Sequence, residues 1–362
     1  MAQCRISNVA IRGLVCAVPG EPHNVEEFGG AFDPQEVEKT KFTVGLRQLY
    51  RVKDGQTAGD LCAAAACALL DDLGWDRHSI DGVIMVTQFP DYFNPATACV
   101  IHGKLGLSSS CFAFDVNLGC SGYVYGLSIA SQAIASGMAR RVLLLAGDTP
   151  SLTISPEDKS VAMLFGDAGT ATAIEFDECA APIAFVLGSD GSGYKNLLVP
   201  AGAFRNRPTP DAFMRCKGVD GNVRSAMDTY MDGMEIFNFT LQRVGPLVNQ
   251  VLELQGWTLE QVEAFVMHQA NAFLLKTLIR KMKLPVDRVP INIGKYGNTS
   301  MCSIPLLLAD DLREKVLGDI PYPMLLVGFG IGYSWGASAV TLSGLRTARV
   351  IQTEVINYVQ PA

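Results

Sequence analysis

Three residues capable of chemistry stand at turns between an apolar run and a following element: Cys120, His268 and Asn298. Cys120 sits in Asn117-Leu118-Gly119-Cys120-Ser121-Gly122, between an apolar run at 111–116 and a helical stretch at 121–137. That pattern predicts strand, tight turn and helix, with the thiol at the helix N-terminus. Unpaired amide N–H groups and the helix dipole favour a thiolate there. Gly119, Ser121 and Gly122 are small and leave room for a substrate. Any one of ten cysteines is more commonly a small buried residue, so the two partners carry the argument. His268 follows the apolar run 264–267 and so ends a buried strand, the end at which open α/β sheets bind ligands. Asn298 lies in Tyr296-Gly297-Asn298-Thr299-Ser300, between a strand predicted at 289–293 and a helix predicted at 301–317. Alone, a His is more often structural and a Gly-Asn-Thr run more often a turn.

The elements that must position these residues repeat. Gly74-Trp75, Ile80-Asp81 and Val83-Ile84-Met85 recur as Gly256-Trp257, Val262-Glu263 and Phe265-Val266-Met267, with 11 residues from Gly to Met in both copies. Lys104-Leu105-Gly106-Leu107 is echoed by Lys281-Met282-Lys283-Leu284, and Cys120 and Asn298 follow those leucines by 13 and 14 residues. Two similar halves, 1–178 with the cysteine and 179–362 with the histidine and asparagine, therefore each alternate buried Val/Ile/Leu strands with helices.

On these residues the chain resembles the β-ketoacyl-acyl-carrier-protein synthase III family of the thiolase superfamily, over nearly its whole length. The matching motifs are the Cys120 turn, Phe165-Gly166-Asp167, Met231 to Phe237, His268-Gln269-Ala270-Asn271, Gly297-Asn298-Thr299-Ser300, and Gly328-Phe329-Gly330-Ile331-Gly332 followed by Trp335-Gly336. The ordered Cys, His, Asn set separates this family from thiolases and from Cys-His-His synthases. The resemblance implies an α/β, thiolase-like fold of two duplicated βα halves in α-β-α-β-α layers.

It also implies a mechanism. Cys120 attacks an acyl thioester and keeps the acyl group. A malonyl thioester then decarboxylates, and its α-carbon attacks acyl-Cys120 to give a β-ketoacyl thioester. The backbone N–H groups of Cys120 and Ile331 would hold the first oxyanion, and losing such a donor costs ~100- to 1000-fold in rate. His268 and Asn298 are suited to hold the enolate oxygen, and His268 could also help activate Cys120, although the helix terminus could suffice. Substrate contacts would come from Phe93, Lys159, Phe237, Asn271 and Phe273, and carrier docking from Lys276 and Arg280. Phe93, in the 89–95 excursion, would close the acyl pocket of a neighbouring copy in a two-fold dimer. Acyl-coenzyme A or acyl carrier protein is the implied partner; no cofactor and no metal is bound. Transfer of the acyl group to an amine or alcohol, or a silent partner subunit, are the alternative readings.

Four positions depart from the family pattern. Residues 38–52 lack its Trp-x-x-x-Arg stretch, for which Tyr50 or Arg51 could substitute. Lys159 stands where Arg is expected, keeping the charge without the planar fork. Phe273 replaces an Arg after the His motif, although Lys276, Arg280, Lys281 and Lys283 follow. Ile331 replaces a glycine. The departures at Lys159 and Phe273 tilt the expectation toward a specialised pathway.

Composition sets the remaining bounds. A chain of 362 residues with 49% hydrophobic and 18% charged residues can bury a large core. A net charge of −7 argues against non-specific nucleic-acid binding. Ten cysteines without a regular framework predict a reducing, cytoplasmic setting. The N-terminal run lacks a secretory apolar core, and the nearly charge-free stretch 319–346 reads as two buried strands, not a membrane span, because prolines and glycines interrupt it. The 201–224 stretch reads as a surface excursion near the substrate tunnel, and 227–240 as pocket lining. Gly166-Asp167 reads as a structural turn.

Overall fold

Strand Arg141–Asp148 is apolar from Val142 to Gly147 because both of its faces are covered. Leu144 and Ala146 enter one core, and Leu143 and Leu145 enter another. Tyr322–Gly330 does the same, sending Met324 and Leu326 inward and Leu325 and Val327 outward. A computed structural model, describing residues 1–357, shows the two sheets to which these strands belong.

The first sheet runs Thr347–Thr353, Val9–Pro19, Ala168–Phe176, Arg141–Asp148, Gly82–Val86, Phe112–Val116. The second runs Ala2–Ile6, Ile183–Ser189, Ser334–Leu342, Tyr322–Gly330, Ala264–Met267. Arg141–Asp148 lies parallel to Gly82–Val86 and antiparallel to Ala168–Phe176. Tyr322–Gly330 is placed in the same way between Ala264–Met267 and Ser334–Leu342. The repeat seen in the sequence is thus a repeat of sheet position. Gly74 and Gly256 both end helices in the left-handed conformation, at φ 61° and 76°, which glycine adopts without Cβ strain. The terminal strands cross over: Ala2–Ile6 edges the second sheet and Thr347–Thr353 the first.

Helices Gly122–Ala135 and Ser303–Ala309 fill the space between the sheets, with Tyr123, Val124, Leu127, Leu306 and Leu307 all buried. Ala58–Leu73 and Thr97–Leu105 cover the outer face of the first sheet. Gly233–Gln255 and Ala272–Met282 cover that of the second. The layers are therefore α-β-α-β-α, and the fold is thiolase-like. Each fully buried leucine contributes about 1.5–3 kcal/mol of transfer free energy.

Two expected elements differ. Residues 289–293 form no ladder strand. Pro290 has no N–H to donate, and the Gln269 amide takes the place of a neighbouring strand: its Oε1 accepts from Asn292 N at 3.0 Å and its Nε2 donates to Pro290 O at 3.4 Å. The helix predicted over 301–317 is three pieces, a 3₁₀ turn at Ser300–Cys302 followed by Ser303–Ala309 and Arg313–Leu317. The break falls at Asp310, whose carboxylate is drawn outward to Lys295 and to Tyr296 Oη, the latter at 2.6 Å.

Candidate active site

Cys120 lies one residue before the N-cap Ser121 of Gly122–Ala135, at the floor of a cavity of about 950 Å³. Strand Tyr322–Gly330 runs directly over it: a β-carbon on Gly330 would stand 2.7 Å from Cys120 Cβ and 2.9 Å from Sγ. Just past that strand, the Ile331 N–H points at the thiol, as does the N–H of Cys120 itself. Ile331 keeps a negative φ, so its side chain does not prevent this. Its carbonyl accepts from Ser334 Oγ at 2.8 Å, and Ser334 Oγ meets Ser121 Oγ at 2.7 Å. These bonds fix the glycine-rich loop against the cysteine turn. The expected thiolate is not the resting species. Burial outweighs the two N–H groups and the Ser300 hydroxyl and pushes the thiol up to about 11.

His268 follows strand Ala264–Met267 and is buried, its N–H bonded to Val327 O at 2.8 Å. Burial holds its imidazole down at about 4, so it is neutral. Its Nδ1 lies 2.9 Å from Ser303 Oγ, which also reaches Ser300 O at 2.9 Å and accepts from Gln269 N at 3.2 Å. The single Ser303 proton can serve the carbonyl or Nδ1. The first arrangement leaves Nε2 as an acceptor; the second leaves Nε2–H, the tautomer that can donate to an oxyanion.

Asn298 is held by its backbone. Its N–H donates to Leu164 O at 2.8 Å, its carbonyl accepts from Gly166 N at 3.1 Å, and Phe165 and Asn298 form a parallel bridge. A β-carbon on Gly166 would collide with the Tyr296 carbonyl, so that close approach requires glycine. Asp167 is buried and anchors the clamp by accepting from Val52 N at 2.8 Å and Ser151 N at 3.0 Å. Asn298 Oδ1 accepts from Ser300 N at 3.0 Å, and its Nδ2 donates one proton to Ala270 O at 3.5 Å, leaving the second Nδ2 proton as a donor for the site.

Ser300 ties the three together. Its N–H meets Asn298, its carbonyl faces the His268 imidazole, and its Oγ lies 3.9 Å from Cys120 Sγ. It holds φ at +52°, one of three non-glycine residues in the left-handed region among those described. Asp148, also on the cavity wall, and Ser303 carry little signal in the sequence: Asp148 is a lone acid ending an apolar run, and Ser303 lies three residues beyond Ser300.

The other expected contacts divide. Phe93 is 69% exposed, lines the rim of its own chain's cavity and packs against exposed Phe204 at 5.5 Å between ring centroids. Met227 and Thr229 of the 227–240 segment also line the cavity, as do residues 201–203 of the surface excursion. Asn271 caps Ala272–Met282 by accepting from Leu274 N at 2.7 Å. Phe237 and Phe273 stack on each other at 5.8 Å. Lys159 stands outside the cavity lining and pairs with Glu36 at 3.2 Å. Lys276 and Arg280 are exposed, and Lys276 lines a second cleft of about 910 Å³ with Lys41, Arg47 and Lys295. Tyr50 is buried against Tyr296, and Arg51 donates to Ala162 O at 2.6 Å, so neither presents a free face to an adenine. Among the described residues no His/Cys/Asp/Glu group is arranged to hold a metal, and no helix is long and apolar enough to cross a membrane.

Residues 114–191 match the family described as 3-oxoacyl-[acyl-carrier-protein (ACP)] synthase III, and residues 252–342 match its C-terminal part. A putative 3-oxoacyl-[acyl-carrier-protein] synthase 3 of Campylobacter jejuni is 35% identical over 96% of this chain and 98% of its own. A β-ketoacyl-[acyl-carrier-protein] synthase III of Pseudomonas aeruginosa is 36% identical over 85% of this chain and 88% of its own. The crystal structure of a 3-oxoacyl-(acyl-carrier protein) synthase from Burkholderia xenovorans superposes with a TM-score of 0.92 at 41% identity, covering 97% of this chain and 99% of that one. The chain therefore belongs to the 3-oxoacyl-[acyl-carrier-protein] synthase III family of the thiolase superfamily, a family of acyltransferases.

Proposed function

We propose that the protein acylates Cys120 from an acyl thioester and then condenses that acyl group with a malonyl thioester, releasing carbon dioxide and a β-ketoacyl thioester. The observation that carries this reading is the position of Ser300, in contact with Cys120, Asn298 and the His268 face at once. The Cys120 and Ile331 N–H groups stabilise the acyl oxyanion. The Nδ2 proton of Asn298 not directed at Ala270 O and the Nε2–H tautomer of His268 stabilise the enolate. A neutral histidine suits this role, because it donates without holding the malonyl carboxylate as a counter-ion. The cavity beside Cys120, walled by apolar residues such as Leu197, Leu198 and Phe89, receives the acyl chain.

The donor is a coenzyme A or carrier-protein thioester. Lys276 and Arg280, beside the second cleft, form the face that an acidic carrier approaches. The exposed apolar rim of Phe93, Tyr92 and Phe204 is what a second copy would cover in a two-fold dimer. Residues 1–178 and 179–362 are the two duplicated units, supported by the matching sheet positions; 358–362 lie outside the described residues. Ten unpaired cysteines support a reducing cytoplasmic setting. Single-turnover acylation from radiolabelled acyl-coenzyme A, followed by malonyl thioester, tests the function. Label on Cys120 that is discharged with carbon dioxide is expected; label discharged to an amine or alcohol acceptor alone would replace this reading.

A further inference from the structure

Burial keeps the Cys120 thiol protonated, and the Nε2–H tautomer of His268 that serves the enolate has no lone pair at Nε2 to take the thiol proton. Ser300 Oγ stands between two buried acids. It lies 3.9 Å from Cys120 Sγ, and it faces the Asp148 carboxylate, which shares the cavity wall with both residues. Asp148 is 1% exposed, ends strand Arg141–Asp148, and accepts at Oδ1 from Gln88 N at 2.8 Å and Thr87 Oγ1 at 3.3 Å. No cationic side chain pairs with it among the described residues. A buried carboxylate held only by neutral donors is costly to keep unless its charge is used.

We propose that Asp148 and Ser300 form a proton relay that deprotonates Cys120. In the step, the Cys120 S–H proton passes to Ser300 Oγ as the Ser300 O–H proton passes to an Asp148 oxygen. The sulfur electron pair forms the bond to the acyl carbon. When the tetrahedral intermediate collapses, the bond to the departing thiolate breaks. The proton returns from Asp148 through Ser300 to that sulfur, so the relay ends as it began. The left-handed φ of Ser300, fixed by the bond from its N–H to Asn298, aims the hydroxyl at both acids. Burial pushes the Asp148 carboxyl up to about 7, which matches a proton acceptor working near neutrality. The titratable groups facing it are Cys120, Asp167, Cys62 and Cys302. Burial also raises the thiols of Cys62 and Cys302, which stay protonated across that range. Asp167 is pushed up to about 6, a step below Asp148.

The inference rests on Cys120 as nucleophile, so its test avoids the acyl substrate. The second-order rate of Cys120 alkylation by iodoacetamide, mapped by peptide mass spectrometry, is measured from pH 5.5 to 9.5. In the native protein the rate should rise through neutrality as Asp148 ionises. Asp148→Asn should lose that limb and slow about 100-fold at pH 7.5, and Asp148→Glu should restore the limb. Ser300→Ala, which keeps the carboxylate, should match Asp148→Asn, and the double variant should be no slower than either. A folded Asp148→Asn or Ser300→Ala protein with the native rate and pH profile would overturn the relay, as would single effects that multiply in the double variant. If Cys120 alkylates as described but never accepts an acyl group, the function proposed above fails and the relay stands.

Discussion

Gly330 and Cys120 are packed so closely that no side chain fits between them: a β-carbon on Gly330 would lie 2.9 Å from the thiol sulfur. The strand that carries the Ile331 donor is thereby brought within reach of the nucleophile. Gly330→Ala is expected to destabilise the fold by about 1–3 kcal/mol through overpacking and to slow acylation of Cys120 at least tenfold. Urea unfolding and single-turnover acylation measure the two effects; native acylation would show that the close approach is dispensable.

Asn298 separates two roles cleanly, because its backbone is clamped by Leu164 and Gly166 while its side chain faces the site. Asn298→Ala should leave the clamp intact. Acylation of Cys120 should stay within about threefold, while condensation with malonyl thioester falls ~100- to 1000-fold. Equal loss of both half-reactions would make the side chain structural.

His268 gives a pH signature in stability. Its imidazole titrates at about 4 when folded and near 6.5 when unfolded. As pH falls, the unfolded chain takes up the proton first, so the contribution is complete above about 6.5 and is lost between there and about 4. Relative to His268→Gln, the native protein should lose stability as pH drops from 7 to 4.5. Asp148 and Asp167 titrate in the opposite sense but are present in both proteins and cancel from the difference. Urea midpoints at several pH values read it; a constant difference would mean the imidazole is not buried and neutral.

Much of this architecture was legible because local and tertiary signals agreed. The four apolar residues of Ala264–Met267 are bounded by Glu263 and His268, and the strand ends at those limits. The repeated Gly74-Trp75 and Gly256-Trp257 pairs fall at equivalent helix ends of the two sheets' outer layers. The rest depended on contacts that no local pattern carries. A glutamine side chain from another segment replaced a strand at 289–293. The resting state of Cys120 escapes the sequence because a helix terminus is visible there and the burial around the thiol is not. Tyr50 and Arg51 have the right chemistry to meet an adenine, yet the fold commits both inward.

The exposed cations on Ala272–Met282 separate the two donor types. Reversing charge at Lys276 and Arg280 to Glu should raise KM for a carrier-protein thioester about tenfold and flatten its salt dependence, with KM for a coenzyme A thioester unchanged. Equal KM values for the carrier donor in native and variant proteins would move docking elsewhere.

In the proposed reaction Cys120 carries the acyl group and surrenders it to a malonyl-derived carbon. Intact-protein mass spectrometry after mixing with a panel of acyl-coenzyme A thioesters, and then with malonyl thioester, tests it most directly. The expected result is a mass gain that maps to Cys120, is absent in Cys120→Ala, and is discharged by malonyl thioester with release of carbon dioxide. An adduct that persists in Cys120→Ala, or one that malonyl thioester leaves in place, would contradict it.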